Sequence, residues 1–358
     1  EWGFVWNESF ANKQMSAISL WQNGAKVQDV DVTATRLDGL KSIPSHDTFN
    51  RFFSIFPANS FEEIFRNWVK EIIGELKGVV AIDGKLMRGP SKCDADNPIG
   101  KDDFRLWVVS AWSSENSISL GQEKVSAKSN EITIVPKLLS AIDLSKTIVT
   151  IDAMGCQTAI TEKIIEGKGD YIIALKANQK HSLNLAKDMI SGFANRERRN
   201  IVSRCSTTNE GHGRHEQRDC IVVSYGNIMQ NMFKEKFIGL KSIVGITSKR
   251  TIIATGETTE ETRYYITSLS NKDPEKIADA IRQHWSIENN LHWQLDFTFR
   301  EDDSRKVRNA ARNFSTITKM ALSILKNDKT TKGSLNLKRL KAGWSEDYLD
   351  RLLTGSSI

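Results

Sequence analysis

Apolar and polar positions change period several times along the chain, and each change marks an expected element. Phe61, Ile64, Phe65, Trp68, Val69, Ile72 and Ile73 recur at helical spacing. Ahead of them, Pro44 and Ser45 offer a helix start that Phe49, Phe52 and Phe53 follow. Residues 1–76 are therefore expected to be helical and irregular. From Gly78 the texture shifts: GVVAIDG, FRLWVVSAWSS and SISLGQEKV predict three successive antiparallel strands. NEITIVPKLLSAIDL then predicts a helix, TIVTIDA a fully apolar strand, CQTAITEKIIEGKG a helix closing on glycine and DYIIALK another strand. HSLNLAKDMISGF adds a further helix.

Residues 197–271 interrupt this α/β pattern with a β-rich stretch that includes RDCIVVSYG, KSIVGITSK and TRYYITSLS. Beyond it, DAIRQHWSIENNLHWQLDFTF, Asp279 to Phe299, spaces Ile281, Trp285, Leu291 and Leu295 as a helix would. His284, Glu288 and His292 follow each other at four-residue steps and are expected on another side of that helix. A last helix, NAARNFSTITKMALSILKND, precedes a basic tail.

Composition adds little to fold class but limits function. At 358 residues, 39% hydrophobic and 26% charged, the chain suits two or three soluble globular domains. No apolar run approaches the roughly 18 to 20 residues needed to span a bilayer, and no membrane partner is expected. Cys93, Cys156, Cys205 and Cys220 show no CxxC pair, which leaves a reduced, cytoplasmic setting as the default. The first residue, Glu1, is not methionine, so an N-terminal truncation is expected.

Net charge is +6, and it is unevenly spread: Arg300 to Lys341 carries twelve Lys or Arg against four acids. That local excess of eight fits either a solvated helical face or a surface for phosphates.

Three acids carry the candidate chemistry. Asp83 lies in the first expected strand, Asp152 ends the fourth, and Glu288 lies on the late helix. Each has a plainer explanation, Asp83-Gly84 as a turn pair and Asp152 as a helix cap. Their joint order is the one expected of a ribonuclease H-like sheet, in which the first strand lies beside the fourth. Hard oxygen ligands of this kind suit Mg²⁺ or Mn²⁺, and two such ions support in-line phosphoryl displacement. A zinc site on His284, Glu288 and His292 is disfavoured, because positions eight apart on a helix are about 12 Å apart. Lys176 and Gln179, in LKANQ directly after a strand of the same sheet, are placed to line a substrate channel. His212, Arg214 and Arg218 occupy alternate positions in HGRHEQR and face one way if extended.

With those residues in view, the chain resembles the H-repeat-associated branch of the DDE insertion-sequence transposases. The resemblance rests on IPSHDTFNRFF, AIDGK, LGQEKVSAKSNEIT, IVTIDAMGCQ, DYIIALKANQ, HGRHE, TRYYITSLS and HWSIENNLHWQLDFTFREDDSR, in order over most of residues 40 to 353. It implies an α/β, ribonuclease H-like mixed sheet with flanking helices, a β-rich insertion before the last catalytic acid, and a helical N-terminal region. It also implies metal-dependent cutting and joining of double-stranded DNA, at terminal inverted repeats and at target DNA, by a homodimer that brings two ends together. By position Asp83, Asp152 and Glu288 correspond to the family's three metal-binding acids. Related transposases carry tyrosine, arginine and lysine at fixed offsets around the last acid; here those places hold Ile281, His284 and Leu295. His284 or Arg282 is then the candidate for the arginine's place at a phosphate.

The expected organisation is a helical region at 1–76, a catalytic core at 77–196 and 272–328 divided by the insertion at 197–271, and a basic tail at 329–358. A bacterial cytoplasmic protein that meets the nucleoid on binding is implied. Two alternatives share the fold: an inactive DNA-binding remnant, and a stand-alone metal-dependent nuclease.

Overall fold

The computed structural model describes residues 45–88, 106–125, 131–193, 201–211, 213–226, 233, 237–304, 306 and 308–354. His212 and the first 44 residues, for which a DNA contact and helices are expected, lie outside the described residues. In chain order the elements are α1 (His46–Ile55), α2 (Ala58–Ile73), β1 (Gly78–Met87), β2 (Leu106–Ser113), β3 (Ile118–Val125), α3 (Glu131–Ser140), β4 (Thr147–Ile151), α4 (Thr158–Glu166), β5 (Asp170–Leu175) and α5 (Lys180–Phe193). There follow β6 (Val202–Gly211), β7 (Arg214–Ser224), β8 (Ser242–Ile252), β9 (Thr258–Thr267), α6 (Pro274–His284), α7 (Trp293–Phe297), α8 (Arg308–Asn327), α9 (Leu335–Trp344) and α10 (Glu346–Leu353). The described residues form two compact units, one from within 76–83 and 129–287, the other from within 45–75, 84–128 and 288–354.

In the first unit the strand order is β1-β4-β5-β9-β8-β7-β6. β1, β4 and β5 run parallel, and β9 returns antiparallel along β5 from Ile172↔Thr267 to Leu175↔Tyr264. The β-rich stretch after α5 therefore extends the central sheet, and it holds a strand, β6, that the hydrophobic pattern did not single out. β4 is buried along its whole length, as a parallel strand covered on both faces must be. Val79, Ile148, Ile172, Val222, Val244, Ile246 and Tyr265 pack with Ile277, Ala280 and Ile281 of α6. On the next residue of β8, Gly245, an added Cβ would stand 3.0 Å from Ile190 of α5. Successive strand residues point to opposite faces, so α5 and α6 cover opposite sides of the sheet.

The second unit holds the later part of β1, with β2 and β3 in the order β3-β2-β1. β2 and β3 form an antiparallel hairpin whose register shifts between Ala111 and Trp112. Ser45 caps α1 by accepting from the Thr48 N–H at 3.2 Å, and Gly74 closes α2 at φ 64°. α8 packs on both helices: Phe314 meets Phe53 edge to face at 5.2 Å, and the Asn313 amide donates to the carbonyls of Phe53 and Phe56. Followed through β1, the order 3-2-1-4-5 with β1, β4 and β5 parallel is ribonuclease H-like.

Two expectations need correction. Asp279 to Phe299 is not one helix: α6 ends at His284, the Trp285 N–H bonds the Arg282 carbonyl, and Glu288–His292 forms a π-helical turn before α7. The step from Ile281 to Ile287 does not fit one α-helical face, and the helix stops between them at Trp285; beyond that, the π turn takes up an extra residue while Ile287, Leu291 and Leu295 stay buried. His284, Glu288 and His292 therefore do not form one helical ladder. Nor is the Arg300 to Lys341 segment a uniform basic surface, because Lys319, Lys338 and Arg339 are buried. Lys319 donates to Gln122 and Ser315, and Lys338 donates to the carbonyls of Leu325 and Asp328.

Candidate active site

The register of β1 and β4 sets the site. Ile82 pairs with Ile151 in parallel, and the next residue of each strand is an aspartate, Asp83 and Asp152. Both are partly buried. Neighbouring strands lie about 4.8 Å apart, so two carboxylates leave the sheet side by side.

Asp152 divides its oxygens between two tasks. Oδ1 accepts the Met154 N–H at 2.7 Å and caps the short turn Ala153–Gly155, while Oδ2 lies 3.3 Å from Nζ of Lys176, the residue after β5. The cap that sequence suggests is thus real and leaves one carboxylate oxygen facing the site. Asn178 and Gln179 donate to the carbonyls of Ala153 and Cys156, each at 2.8 Å, and stitch the turn after β5 to the turn after β4. The amide of Gln179 is a brace for that turn.

His284 closes the group from α6. Its Nδ1 lies 3.0 Å from Oγ1 of Thr150, a buried β4 residue two positions before Asp152. Burial pushes the imidazole below its ordinary pKa, against the opposing pull of Asp83 and Asp152. Next to it Trp285 receives the Arg263 guanidinium over its ring at 5.1 Å, and Arg282 is exposed on the same helix. Asp83, Asp152, Lys176 and His284 therefore belong to one neighbourhood. Arg214 does not: it lies eight residues along β7 from Val222, roughly 27 Å at the rise of an extended strand, and pairs with Ile252 and Gly211 at the far end of the sheet.

Glu288 is exposed at the start of the π turn, in the second unit. The acids that follow it each have a basic partner there. Asp296 and Glu301 both meet Lys85, Asp302 meets Arg88, and Asp303 meets Arg300. Burial alone would raise the Glu301 carboxyl; Lys85 and Lys319 hold it below its ordinary range. Lys85 and Thr150 are the residues that inspection of the sequence passed over. A lysine followed by the apolar Leu86 and Met87 in the continuation of a strand was the available signal for the first; Thr150 gave none.

Among the described residues no three His, Cys, Asp or Glu side chains stand close enough together to hold a metal ion, and no helix is long and apolar enough to cross a membrane. The aspartate pair does suit a hard cation. It offers adjacent oxygen donors, and an ammonium already lies against one of them.

Asp83 and Asp152 thus follow paired residues of the first and fourth strands of a ribonuclease H-like sheet, and the chain's class is that of the DDE transposases. The chain belongs to the transposase DDE domain family, whose model matches residues 74–324. It is 39% identical over 340 residues to YhhI of Escherichia coli (strain K12), named "H repeat-associated putative transposase", covering 92% of this chain and 87% of that one. It is equally similar, 39% over 322 residues, to YncI of Escherichia coli O157:H7, which is also named as a transposase, with 88% of this chain and 79% of that one covered. Among solved structures it is similar to the piggyBac transposase synaptic complex with hairpin DNA, at 10% identity and a TM-score of 0.41, covering 94% of this chain and 67% of that one.

Proposed function

We propose that this DDE transposase cuts DNA at the ends of its insertion sequence and joins the freed 3′ ends to target DNA. The adjacency of Asp83 and Asp152, fixed by the Ile82↔Ile151 register, carries the proposal. Asp83, Asp152 and Glu288 would hold Mg²⁺ or Mn²⁺, which when bound activates a water or hydroxyl and stabilises the leaving oxygen. Glu288 is taken as the third acid from its place in chain order, after the β-rich insertion and at the start of the π turn, the place that the family resemblance gives the last acid.

The remaining groups bind and orient. Lys176 holds the free oxygen of Asp152 towards the site and is long enough to meet a substrate phosphate. Arg282, exposed on α6 two residues before His284, adds a second phosphate contact. His284, kept neutral by burial, fixes Thr150 and contacts substrate through hydrogen bonding rather than charge. Gln179 shapes the turn that carries Lys176. Arg214, well away from the acids, is reserved for flanking duplex, and His212, two positions earlier in the sequence, is assigned the same partner. Two DNA ends require two copies of the chain, so the working form is a dimer on DNA, in the bacterial cytoplasm at the nucleoid.

Labelled DNA carrying the sequences that flank the gene, incubated with Mg²⁺ or Mn²⁺, tests this. Cleavage at the ends that is lost in Asp152→Asn supports it. Binding of those ends without cleavage by either protein leaves only a DNA-binding remnant, and cleavage without regard to ends points to a general nuclease.

A further inference from the structure

Two residues past Asp83, β1 carries Lys85, whose side chain is 9% exposed. Its ammonium donates to Asp296 and, at 2.9 Å, to Oε2 of Glu301. Asp296 lies on α7, eight residues beyond Glu288, and Glu301 opens the short turn that follows α7. One amine thus ties the strand to two points of the segment that the π turn begins. At the end of the same strand the Arg88 N–H donates to Asp302 at 3.0 Å and repeats the tie. Lys319 of α8, also buried, contributes a second positive charge towards Glu301.

Burying charge is expensive unless it is paired, and a buried ion cluster seldom outperforms apolar packing in stability. What such a cluster supplies is a fixed arrangement. Lys85 engages both carboxylates directly, and Lys319, which also faces the buried Glu62, adds positive potential at Glu301, so Asp296 and Glu301 are structural acids.

We propose that Lys85 is a positioning residue: through Asp296 and Glu301 it locks the segment after Glu288 onto the strand that bears Asp83, and so fixes where the third acid is presented. Lys85 itself touches neither DNA nor ion. The proposal rests on the transposase reading given above.

The test uses the full chain and three variants: Lys85→Met, the apolar replacement Lys85→Met/Asp296→Leu/Glu301→Met, and Lys338→Met as a remote buried-lysine control. Mn²⁺ alone is the ion probe, followed by the resonance of free Mn²⁺; amide exchange reports residues 288–303, and end-labelled flanking DNA reports cleavage. Lys85→Met should weaken Mn²⁺ binding and raise the Mn²⁺ needed for half-maximal cleavage about 10- to 100-fold, the usual effect of losing an outer support of a metal site. It should speed exchange across 288–303 and leave DNA affinity unchanged. The apolar triple should recover thermal stability but keep the raised Mn²⁺ requirement, which covers the case in which Lys85→Met does not fold. Lys338→Met should lose stability with a normal requirement.

A folded Lys85→Met, or a triple, with the parent's Mn²⁺ requirement and exchange overturns the proposal. If the parent does not cleave, or Asp152→Asn binds Mn²⁺ as the parent does, the transposase reading fails on its own account, and the exchange at 288–303 still decides the role of Lys85.

Discussion

His284 Nδ1 and Thr150 Oγ1 stand 3.0 Å apart, and this contact fastens the end of α6 to the strand that terminates in Asp152. Burial holds the His284 pKa below its ordinary 6.5. The unfolded chain therefore takes up the proton first; the contribution to stability is complete above 6.5 and drains away as pH falls through the folded value. Thermal unfolding of metal-free protein from pH 8 down to pH 5 should show a falling Tm. His284→Gln should cost about 1 kcal/mol at pH 8 and flatten the fall. Parallel curves for the two proteins would count against the assignment.

Asp152→Asn keeps a side chain able to cap the turn at Met154, since asparagine and aspartate cap about equally well. Its Tm should stay close to that of the parent, while metal-dependent cleavage is lost; Asp152→Ala should lose cleavage and about 1 kcal/mol as well. Calorimetry beside a cleavage assay separates the two effects. An Asn variant that still cuts would remove Asp152 from the site.

Chelation offers an independent check. Excess EDTA should abolish cleavage, added Mg²⁺ or Mn²⁺ should restore it, and added Ca²⁺ should permit DNA binding without cutting, because its looser coordination suits in-line displacement poorly. Undiminished cleavage in EDTA would show that the aspartates act in some other chemistry.

DNA affinity should fall steeply with salt, by counterion release. Lys329 and Lys332 are exposed, and replacing each by alanine should reduce the slope of log affinity against log salt by about one. Lys319→Met, by contrast, should destabilise the chain, because it strips a donor from buried Gln122 and Ser315. A slope indifferent to Lys329 and Lys332 would mean that this segment does not meet phosphates.

Asn313→Leu should cost about 1 to 3 kcal/mol, the range for leaving buried carbonyls without a donor. The carbonyls are those of Phe53 and Phe56, which Asn313 serves across more than 250 residues of chain. Chemical denaturation reads this directly, and an unchanged midpoint would dismiss the contact.

How far the sequence announces this architecture depends on the range of the force involved. β4 is legible because TIVTI is apolar throughout and a strand covered on both faces needs that composition. Asp83 and Asp152 are legible because each ends an apolar run, and parallel pairing then makes them neighbours. The break after His284 is not legible: Trp285 looks like a core residue at helical spacing, yet it is 41% exposed, with Arg263 of β9 over its ring. The buried cations are hidden for the same reason. Nothing local distinguishes Lys319 from Lys329, since what buries the first is its distant match with Gln122.

The π turn at Glu288–His292 makes this stretch of chain one residue out of phase with an ordinary helical screw. Each residue of an α-helix advances about 100° around the axis. Deleting Asn289 or Asn290 would remove the residue that the wide turn absorbs, so the winding would become regular while Leu291 and Leu295 keep facing the interior and Asp296 keeps its reach to Lys85. The same loss within α8, an ordinary helix of twenty residues, would turn everything downstream by that angle. The segment beside Glu288 therefore carries one residue of slack in its length, and the helix after it carries none.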